Sequence, residues 1–238
     1  MKKEKFIIVL MITGFMTFNS LADELTCAGD ENSTCQWQYD ENTHTLTITG
    51  TGAMMDYGPS EAVGSMKTTY WALRPWNAYA SEIETVVISG MTTVGNRAFQ
   101  GMGNLTNVIL PDSITSIGQS SFADTPSVES IFLSDSITEI RNAAFGGFWG
   151  DIYCPENKKT FCYEEMNDHG RLYNKTVDDA LKTYTKESDG RYVLDGVRYK
   201  SFTDMSNGQN GLNLKRIYTI DEANAVAGER NTFKIRYR

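Results

Sequence analysis

Residues 110–122 read LPDSITSIGQSSF, and residues 133–145 read LSDSITEIRNAAF. The second stretch repeats the first 23 positions later, with apolar residues in the same places and the same DSIT tetrapeptide. An earlier copy spans 83–102 with one residue fewer in its turn, and a partial copy begins at Trp149. A period of roughly 20–29 residues is typical of leucine-rich repeats, whose units bury a continuous core only when they stack. We therefore predict a mainly β, short leucine-rich-repeat solenoid.

Six apolar slots recur in the three complete copies and define the predicted core. Each unit should hold a short strand, a turn, a second short strand, and a turn of small residues that ends at a phenylalanine. In the partial copy, Trp149, Ile152 and Cys154 would take the first three slots. The slots of the complete copies hold Ile83, Leu105 and Val128; Val86, Val108 and Ile131; Ile88, Leu110 and Leu133; Met91, Ile114 and Ile137; Val94, Ile117 and Ile140; and Phe99, Phe122 and Phe145.

The stretch LPDSITSIGQSSFADTPSVESIFLSDSITEI resembles the BspA-like leucine-rich repeats of bacterial surface and secreted proteins. Units of that family typically read L-x-x-I-x-I-P-x-S-V-T-x-I-G-x-x-A-F. Residues 37–58 and 214–238 are also similar to segments that flank such arrays. The resemblance implies an adhesion-like, protein-binding role. The array is short, however, and Met102, Thr125 and Phe148 occupy the slot in which the family often has cysteine.

The N-terminal residues have the organisation of a secretory signal peptide. MKKEK is basic, the next 13 residues carry no charge, and Ser20 and Ala22 suit cleavage after Ala22. The alternative is a membrane anchor, but the stretch FIIVLMITGFMTF, with 13 residues, is shorter than the ~20 residues that span a bilayer. We therefore predict a signal peptide over 1–22 and an exported protein that is secreted, periplasmic or on the cell surface.

The four cysteines are disulfide candidates, because export usually leads to an oxidising compartment. Four cysteines allow three pairings, and the spacing favours two local ones. A zinc site is the alternative, but the close Cys-x-x-Cys spacing is absent. We predict no metal and no cofactor. The favoured pairs are Cys27 with Cys35 and Cys154 with Cys162.

Outside the repeats, assigned to 81–155, the chain is predicted to form two flanking regions. Residues 23–80 should form an N-terminal β cap and linker, and residues 156–238 a small C-terminal α+β region. Trp37, Tyr39, Leu46 and Ile48 are expected to share one packed face of the cap. In the second region we predict helices over 174–184 and 219–228, a closing strand over 232–238, and a hairpin over 191–202 that turns at Asp195-Gly196.

Charge and motif content disfavour several functions. Residues 23–153 carry 16 acidic and 4 basic residues, a net charge of −12 that should repel nucleic acid and anionic lipid. Residues 186–238 carry 10 basic and 7 acidic residues, a net charge of +3. The chain has no G-x-S-x-G, G-x-x-x-x-G-K or H-E-x-x-H motif. We therefore predict a non-enzymatic protein; a hydrolase within 156–238 is the weaker alternative.

A binding surface has more support, because residues between the buried slots of each first strand should point away from the core. Val87, Ile109, Phe132 and Tyr153 would then form an exposed apolar stripe, unless a flanking region covers it. The expected partner is a host or bacterial surface protein, with a glycan as the alternative. A structural role, with assembly through residues 214–238, is the second hypothesis. The candidate binding residues are Thr85, Val87, Asn107, Ile109, Ser130, Phe132, Asp151 and Tyr153.

Overall fold

The computed structural model of the 238-residue chain describes residues 27–58, 74–169, 176–209 and 211–213. The predicted signal peptide, the predicted helix over 219–228 and the predicted strand over 232–238 lie outside these described residues. Within these ranges most of the regular structure is β-strand, with three short α-helices after the repeats. The mainly β class predicted from the sequence is therefore confirmed at that level.

The fold begins with a hairpin of β1 (Thr34–Asp40) and β2 (Thr45–Ala53). The alternating sequence TLTIT places every second residue of β2 on the core side, and the pairs across the hairpin are Trp37 with Ile48 and Tyr39 with Leu46. Leu46 and Ile48 are fully buried, and Trp37 and Tyr39 pack against the same core. The predicted packed face is therefore confirmed.

The repeats follow as parallel strands that pair one copy with the next. The first copy forms a single ten-residue strand, β3 (Thr85–Val94), which pairs with β2. It lacks one turn residue, so its two predicted strands merge. The next copies keep two strands each, and the register runs Val94–Ile117–Ile140. These strands are β4 (Asn107–Ile109), β5 (Ser116–Ile117), β6 (Ser130–Phe132) and β7 (Glu139–Ile140).

All eighteen residues of the six predicted slots are buried, with side-chain exposure of at most 4%. The phenylalanine slot forms a column in which Phe99 and Phe122 lie 5.3 Å apart, and Phe122 and Phe145 lie 6.0 Å apart. The partial copy departs from the prediction, because Trp149 is 56% exposed. Phe148 packs 5.8 Å from Phe145 and fills the core at this end, which leaves Trp149 on the surface.

The turns that follow the second strands are joined by backbone hydrogen bonds from copy to copy. The N–H of Phe99 donates to the carbonyl of Ser121 at 2.8 Å, and the N–H of Phe122 donates to that of Ala144 at 2.9 Å. Each copy therefore offers its turn carbonyls to the copy before it. The first copy has no preceding copy, and the carbonyl of Ala98 accepts instead from the side chain of Trp76 at 3.1 Å.

Adjacent copies approach closely at Gly118, in the strand-to-turn corner. A Cβ atom at this position would lie 2.6 Å from the Asn96 nitrogen and 2.6 Å from the Val94 oxygen. The Gly118 N–H also donates to that oxygen at 2.8 Å. Because backbone atoms cannot give way cheaply, we expect Gly118→Ala to lower the free energy of unfolding by about 1–3 kcal/mol in a urea titration.

Gly103→Ala is the matched control for this prediction. A Cβ atom at Gly103 would meet nothing within 4 Å, so we expect a change within about 0.5 kcal/mol. Equal unfolding midpoints for the two variants would contradict the tight contact between copies at Gly118.

The region after the repeats differs in part from the prediction. The helix expected over 174–184 is short, because the chain from Leu181 pairs in parallel with β8 and becomes β9. The hairpin at Asp195-Gly196 is confirmed, and both turn residues have positive φ, as a type I′ turn requires. The elements are β8 (Asp151–Pro155), α1 (Lys159–His169), α2 (Val177–Ala180), β9 (Leu181–Lys186), β10 (Tyr192–Leu194), β11 (Val197–Tyr199), α3 (Phe202–Ser206) and β12 (Leu212–Asn213).

Candidate binding surface

The candidate binding residues lie on one side of the first strands, opposite the core, and we call this side the outer face. Parallel pairing places Thr85 beside Asn107, and Val87 beside Ile109. The same pairing places Ser130 beside Asp151 and Phe132 beside Tyr153. The Glu129 N–H donates to the Thr106 carbonyl at 3.4 Å, so the two halves of the outer face are neighbours.

The half formed by β2, β3 and β4 is accessible. Asn107 is exposed, and Thr85, Val87 and Ile109 are partly exposed. The chemistry of this half consists of methyl groups, hydroxyl groups and one amide, which suit non-covalent contacts with a protein surface.

Sequence reasoning missed the residues that β2 adds to this half. Thr45 lies beside Thr85, and Thr47 lies beside Val87, so the outer face extends across the hairpin. Both threonines are partly exposed. The alternation of threonine with buried residues in TLTIT carried this signal, because every second residue of a strand faces the same side.

In the half formed by β6 and β8, the chain that follows the repeats covers Phe132, whereas Ser130, Asp151 and Tyr153 stay partly exposed. Phe132 is only 7% exposed, and its ring stacks on that of Tyr153 with centroids 4.3 Å apart. The predicted exposure of Phe132 is therefore wrong, and the alternative of a covering region holds. The residues that form a second hydrophobic cluster with Phe132 are Tyr184, Tyr192, Tyr199, Phe202 and Met205.

Two polar contacts hold this cover against the repeats. The buried Tyr184 hydroxyl donates to the Leu133 carbonyl at 2.8 Å, and burial raises the pKa of that tyrosine. Lys186 pairs with Asp135 at 2.9 Å, and this hydrogen bond raises the pKa of the lysine. The ammonium also lies 5.2 Å from the centre of the Tyr192 ring, a distance suited to cation–π attraction.

Tyr153 lies where the covered half meets solvent. It is partly exposed, and burial, with Asp151 and Asp195, raises the pKa of its hydroxyl. It borders a cavity of about 400 Å³. Two of the residues around this cavity are lysines, and one is an aspartate. The other lining residues are Lys159, Leu181, Lys182, Thr183 and Asp195.

The large hydrophobic side chains exposed on the described residues belong to segments other than β2, β3 and β4. They are Trp149, at 56% exposure, and Tyr163, at 38%. Trp149 borders a cavity of about 330 Å³ with Glu129 and Asp151. In the described ranges, no group of three or more His, Cys, Asp or Glu is placed to hold a metal ion.

The four cysteines form the two pairs that their spacing favours. Cys27 is bonded to Cys35 of β1, and Cys154 of β8 is bonded to Cys162 of α1. The first bond attaches the start of the described chain to the hairpin. The second attaches α1 to the end of the repeats.

Comparison with known families identifies the central part of the chain. Residues 78–186 match the sequence model described as a BspA-type leucine-rich repeat region of six copies. This segment belongs to the BspA-type repeat family. The resemblance seen in the sequence is therefore confirmed, and the family indicates a role in protein–protein interaction. The match ends at Lys186, the last residue of β9. Strand β9 pairs in parallel with β8 and so continues the pairing of the repeats.

Two crystal structures of bacterial proteins are similar to the chain. A leucine-rich repeat protein from Eubacterium ventriosum is 28% identical, with a TM-score of 0.40, and the match covers 50% of this chain and 28% of that one. A leucine-rich repeat protein from T. pallidum is 18% identical, with a TM-score of 0.27, and covers 51% of this chain and 69% of that one. The chain thus spans little more than a quarter of the E. ventriosum protein. No curated protein matches it.

Proposed function

We propose that this BspA-type repeat protein is exported and binds a protein partner, without catalysis, through the open half of its outer face. The observation that carries the proposal is the alignment of Val87 with Ile109 in neighbouring parallel strands. Both side chains are partly exposed, and Thr47, Thr85 and Asn107 surround them with polar groups. An apolar centre with a polar rim is the usual anatomy of a protein–protein contact.

In this proposal the repeats are a short solenoid with a different cover at each end. The hairpin of β1 and β2, together with Trp76, closes the first end, because it supplies partners to the first copy. The chain after the repeats covers the second half of the outer face through the cluster around Phe132. The partner surface is then restricted to β2, β3 and β4.

Export is supported by two independent features. The basic start, the uncharged run and the small residues before position 23 suit secretion. The chain also forms two disulfides, and disulfides persist mainly in oxidising compartments. None of the described helices has the length and apolar character needed to cross a membrane.

A protein is a better-supported partner than a glycan. Sugar recognition commonly uses an accessible aromatic ring, and the outer-face residues of β2, β3 and β4 named above include none. The open half offers aliphatic and hydroxyl groups instead. The acidic surface of residues 23–153 further favours a partner with a basic contact area.

The double variant Val87→Glu, Ile109→Glu tests the proposed surface. Residues 23–238 would serve as bait against preparations of bacterial envelope and host surface proteins. We expect the variant to weaken partner capture about tenfold or more, because it places two charges in the apolar centre of the contact. Quantitative mass spectrometry of the captured proteins measures the effect.

Asn142→Glu is the matched control, since it adds a charge to an exposed turn on another side of the repeats. It should capture the same partner as the unmodified chain. Equal capture by all three baits would contradict the proposed site. Circular dichroism of each bait verifies that the double variant retains its fold.

A further inference from the structure

Three short motifs in the sequence suit the attachment of a glycan to an asparagine side chain. The motif N-x-S/T, in which x is not proline, marks the acceptor of this modification in exported proteins. The acceptor must lie on the surface, because the attached glycan is bulky and hydrophilic. The motifs begin at Asn32, Asn104 and Asn174, and the last of these lies outside the described residues.

Asn32 lies in an exposed turn, inside the loop closed by the first disulfide. Asp30 and Glu31 beside it are also exposed. The Asp30 carboxylate holds the turn, because it accepts from the Asn32 N–H at 2.9 Å and from the Ser33 hydroxyl at 2.8 Å. No described residue accepts a hydrogen bond from the Asn32 side-chain amide. A glycan on that amide would therefore cost the described part of the chain no hydrogen bond.

The motif at Asn104 is used by the fold itself. The Asn104 side-chain amide donates to the Ser81 carbonyl at 2.8 Å. The hydroxyl of Thr106, the third residue of this motif, donates to the Glu84 carbonyl at 3.0 Å. Both bonds attach the second copy to the start of the first. A glycan on Asn104 would interfere with this contact, so the structure favours Asn32 as the acceptor.

The residue two positions before the asparagine also separates the three motifs. The stricter bacterial form of the motif is D/E-x-N-x-S/T, which adds an acidic residue at this position to the common N-x-S/T. Asp30 supplies it for Asn32, whereas Met102 and Leu172 occupy the position in the other two motifs. The stretch DENST over residues 30–34 therefore meets the full requirement.

We propose that Asn32 is the acceptor of an N-linked glycan. The step forms a bond between the Asn32 Nδ2 atom and the anomeric carbon of the first sugar. It breaks the bond between that carbon and the pyrophosphate of a lipid-linked oligosaccharide. The amide nitrogen loses one proton, and the lipid pyrophosphate leaves. Of the proposed function, this modification requires only export.

The folded hairpin uses the hydroxyl that completes the motif. Thr34 Oγ1 lies 3.0 Å from Thr51 Oγ1 and accepts from the Thr51 N–H at 3.0 Å. Because the motif requires this hydroxyl, the transferase must reach it before it pairs with Thr51. The glycan would thus be attached during export, before β1 and β2 pair.

The glycan would shield the start of a strand edge. On its side away from β2, β1 pairs with no described strand, and natural proteins usually protect such an edge from pairing with other chains. A bulky group just before β1 would provide this protection. The proposed partner surface lies further along the hairpin, where Thr47 pairs with Gln38 and lies beside Val87. The glycan and the partner therefore occupy different parts of the molecule.

Mass spectrometry of the protein isolated from the cells that produce it tests the modification directly. The peptide that contains Asn32 should carry a glycan, which sugar fragment ions identify. The peptide that contains Asn104 should be unmodified. An Asn32 peptide found only in its unmodified form would overturn the proposal.

Transfer in a bacterial host with an oligosaccharyltransferase and its lipid-linked oligosaccharide tests the role of each motif residue. A leader of the host would direct residues 23–238 to the periplasm, so the result does not depend on the predicted signal peptide. We expect Asn32→Gln to lose the glycan, whereas the matched control Asn104→Gln should keep it. Asp30→Asn keeps a side-chain oxygen for the turn but removes the charge, and it should lower occupancy about tenfold or more.

Substitution of Thr34 separates recognition of the motif from folding. Thr34→Ser keeps the hydroxyl and should keep the glycan, whereas Thr34→Ala should lose it. Intact masses that show both disulfides verify that each variant has folded. A glycan that persists in Asn32→Gln would overturn the proposal. So would an unmodified chain in a host that glycosylates a reference acceptor protein.

Discussion

Replacing Trp76 with Ala is expected to lower the free energy of unfolding by about 3–5 kcal/mol, as is usual for the loss of a fully buried aromatic ring. Trp76 stacks on Phe99 at 5.8 Å and meets Tyr57 edge-on at 5.5 Å, so it begins the aromatic column of the repeats. The substitution opens a cavity at the end of that column. Chemical denaturation followed by circular dichroism measures the loss.

Trp76 also stands in for a missing copy. In the later copies, the turn carbonyls accept from backbone N–H groups of the preceding copy. In the first copy, the Asn96 carbonyl accepts from the Tyr57 N–H at 2.9 Å, and the Ala98 carbonyl accepts from the Trp76 ring N–H at 3.1 Å. The Gln100 carbonyl accepts from Arg74 at 2.9 Å. Burial lowers the pKa of Arg74 to about 10, although the electrostatic interaction with Tyr57 acts in the opposite direction.

Trp149→Ala is the matched control for Trp76→Ala. It removes the same side chain from a position that is 56% exposed, so the expected change is within about 0.5 kcal/mol. Trp76→Phe should fall between the two, because it keeps the ring contacts and leaves the Ala98 carbonyl without its Trp76 donor. Similar losses for the two alanine variants would contradict the capping role of Trp76.

Replacing Phe122 with Ala is also expected to lower the free energy of unfolding by about 3–5 kcal/mol, but for a different reason. Phe122 is the central ring of the column, stacked on Phe99 at 5.3 Å and on Phe145 at 6.0 Å. Each repeat is stabilised mainly by its neighbours, so loss of the central ring weakens two interfaces between copies at once.

Comparison with Phe122→Leu shows whether the loss comes from the missing ring volume or from any substitution at this position. Leucine keeps most of the apolar area, and we expect a cost of about 1–2 kcal/mol. Urea titrations of the two variants provide the comparison. If Phe122→Ala were no more destabilising than Phe122→Leu, the rings would not act as a continuous packed column.

The core and the disulfides could be predicted from the sequence because both depend on local spacing. A 23-residue period decides which side chains face inward in every copy, and each slot predicted for the complete copies is buried. Cysteines eight positions apart meet across short loops. The Asp195-Gly196 turn was equally local, since its two residues alone favour the positive φ values.

The covered half of the outer face could not be predicted in this way. Periodicity placed Phe132 on the outward side of its strand, which is correct, but it does not show what packs there. Tyr184 reaches Leu133 from 51 positions away, and such a contact has no signal in the local pattern. The predicted helix over 174–184 was wrong from Leu181 for a related reason, because pairing with β8 outweighed the helical propensity of the segment.

The sequence alone therefore determined the repeat and its inward-facing residues, and it favoured the two local disulfide pairs and the family resemblance. These features repeat or close over a few residues, so local chemistry is sufficient. Only the tertiary structure decided that Trp149 lies on the surface, that Trp76 replaces a preceding copy, and that Phe132 on the outer face is buried. These outcomes depend on which distant segment packs against the ends and faces of the repeats. Because the hydrophobic effect is non-directional, the local sequence pattern does not show which segment that will be.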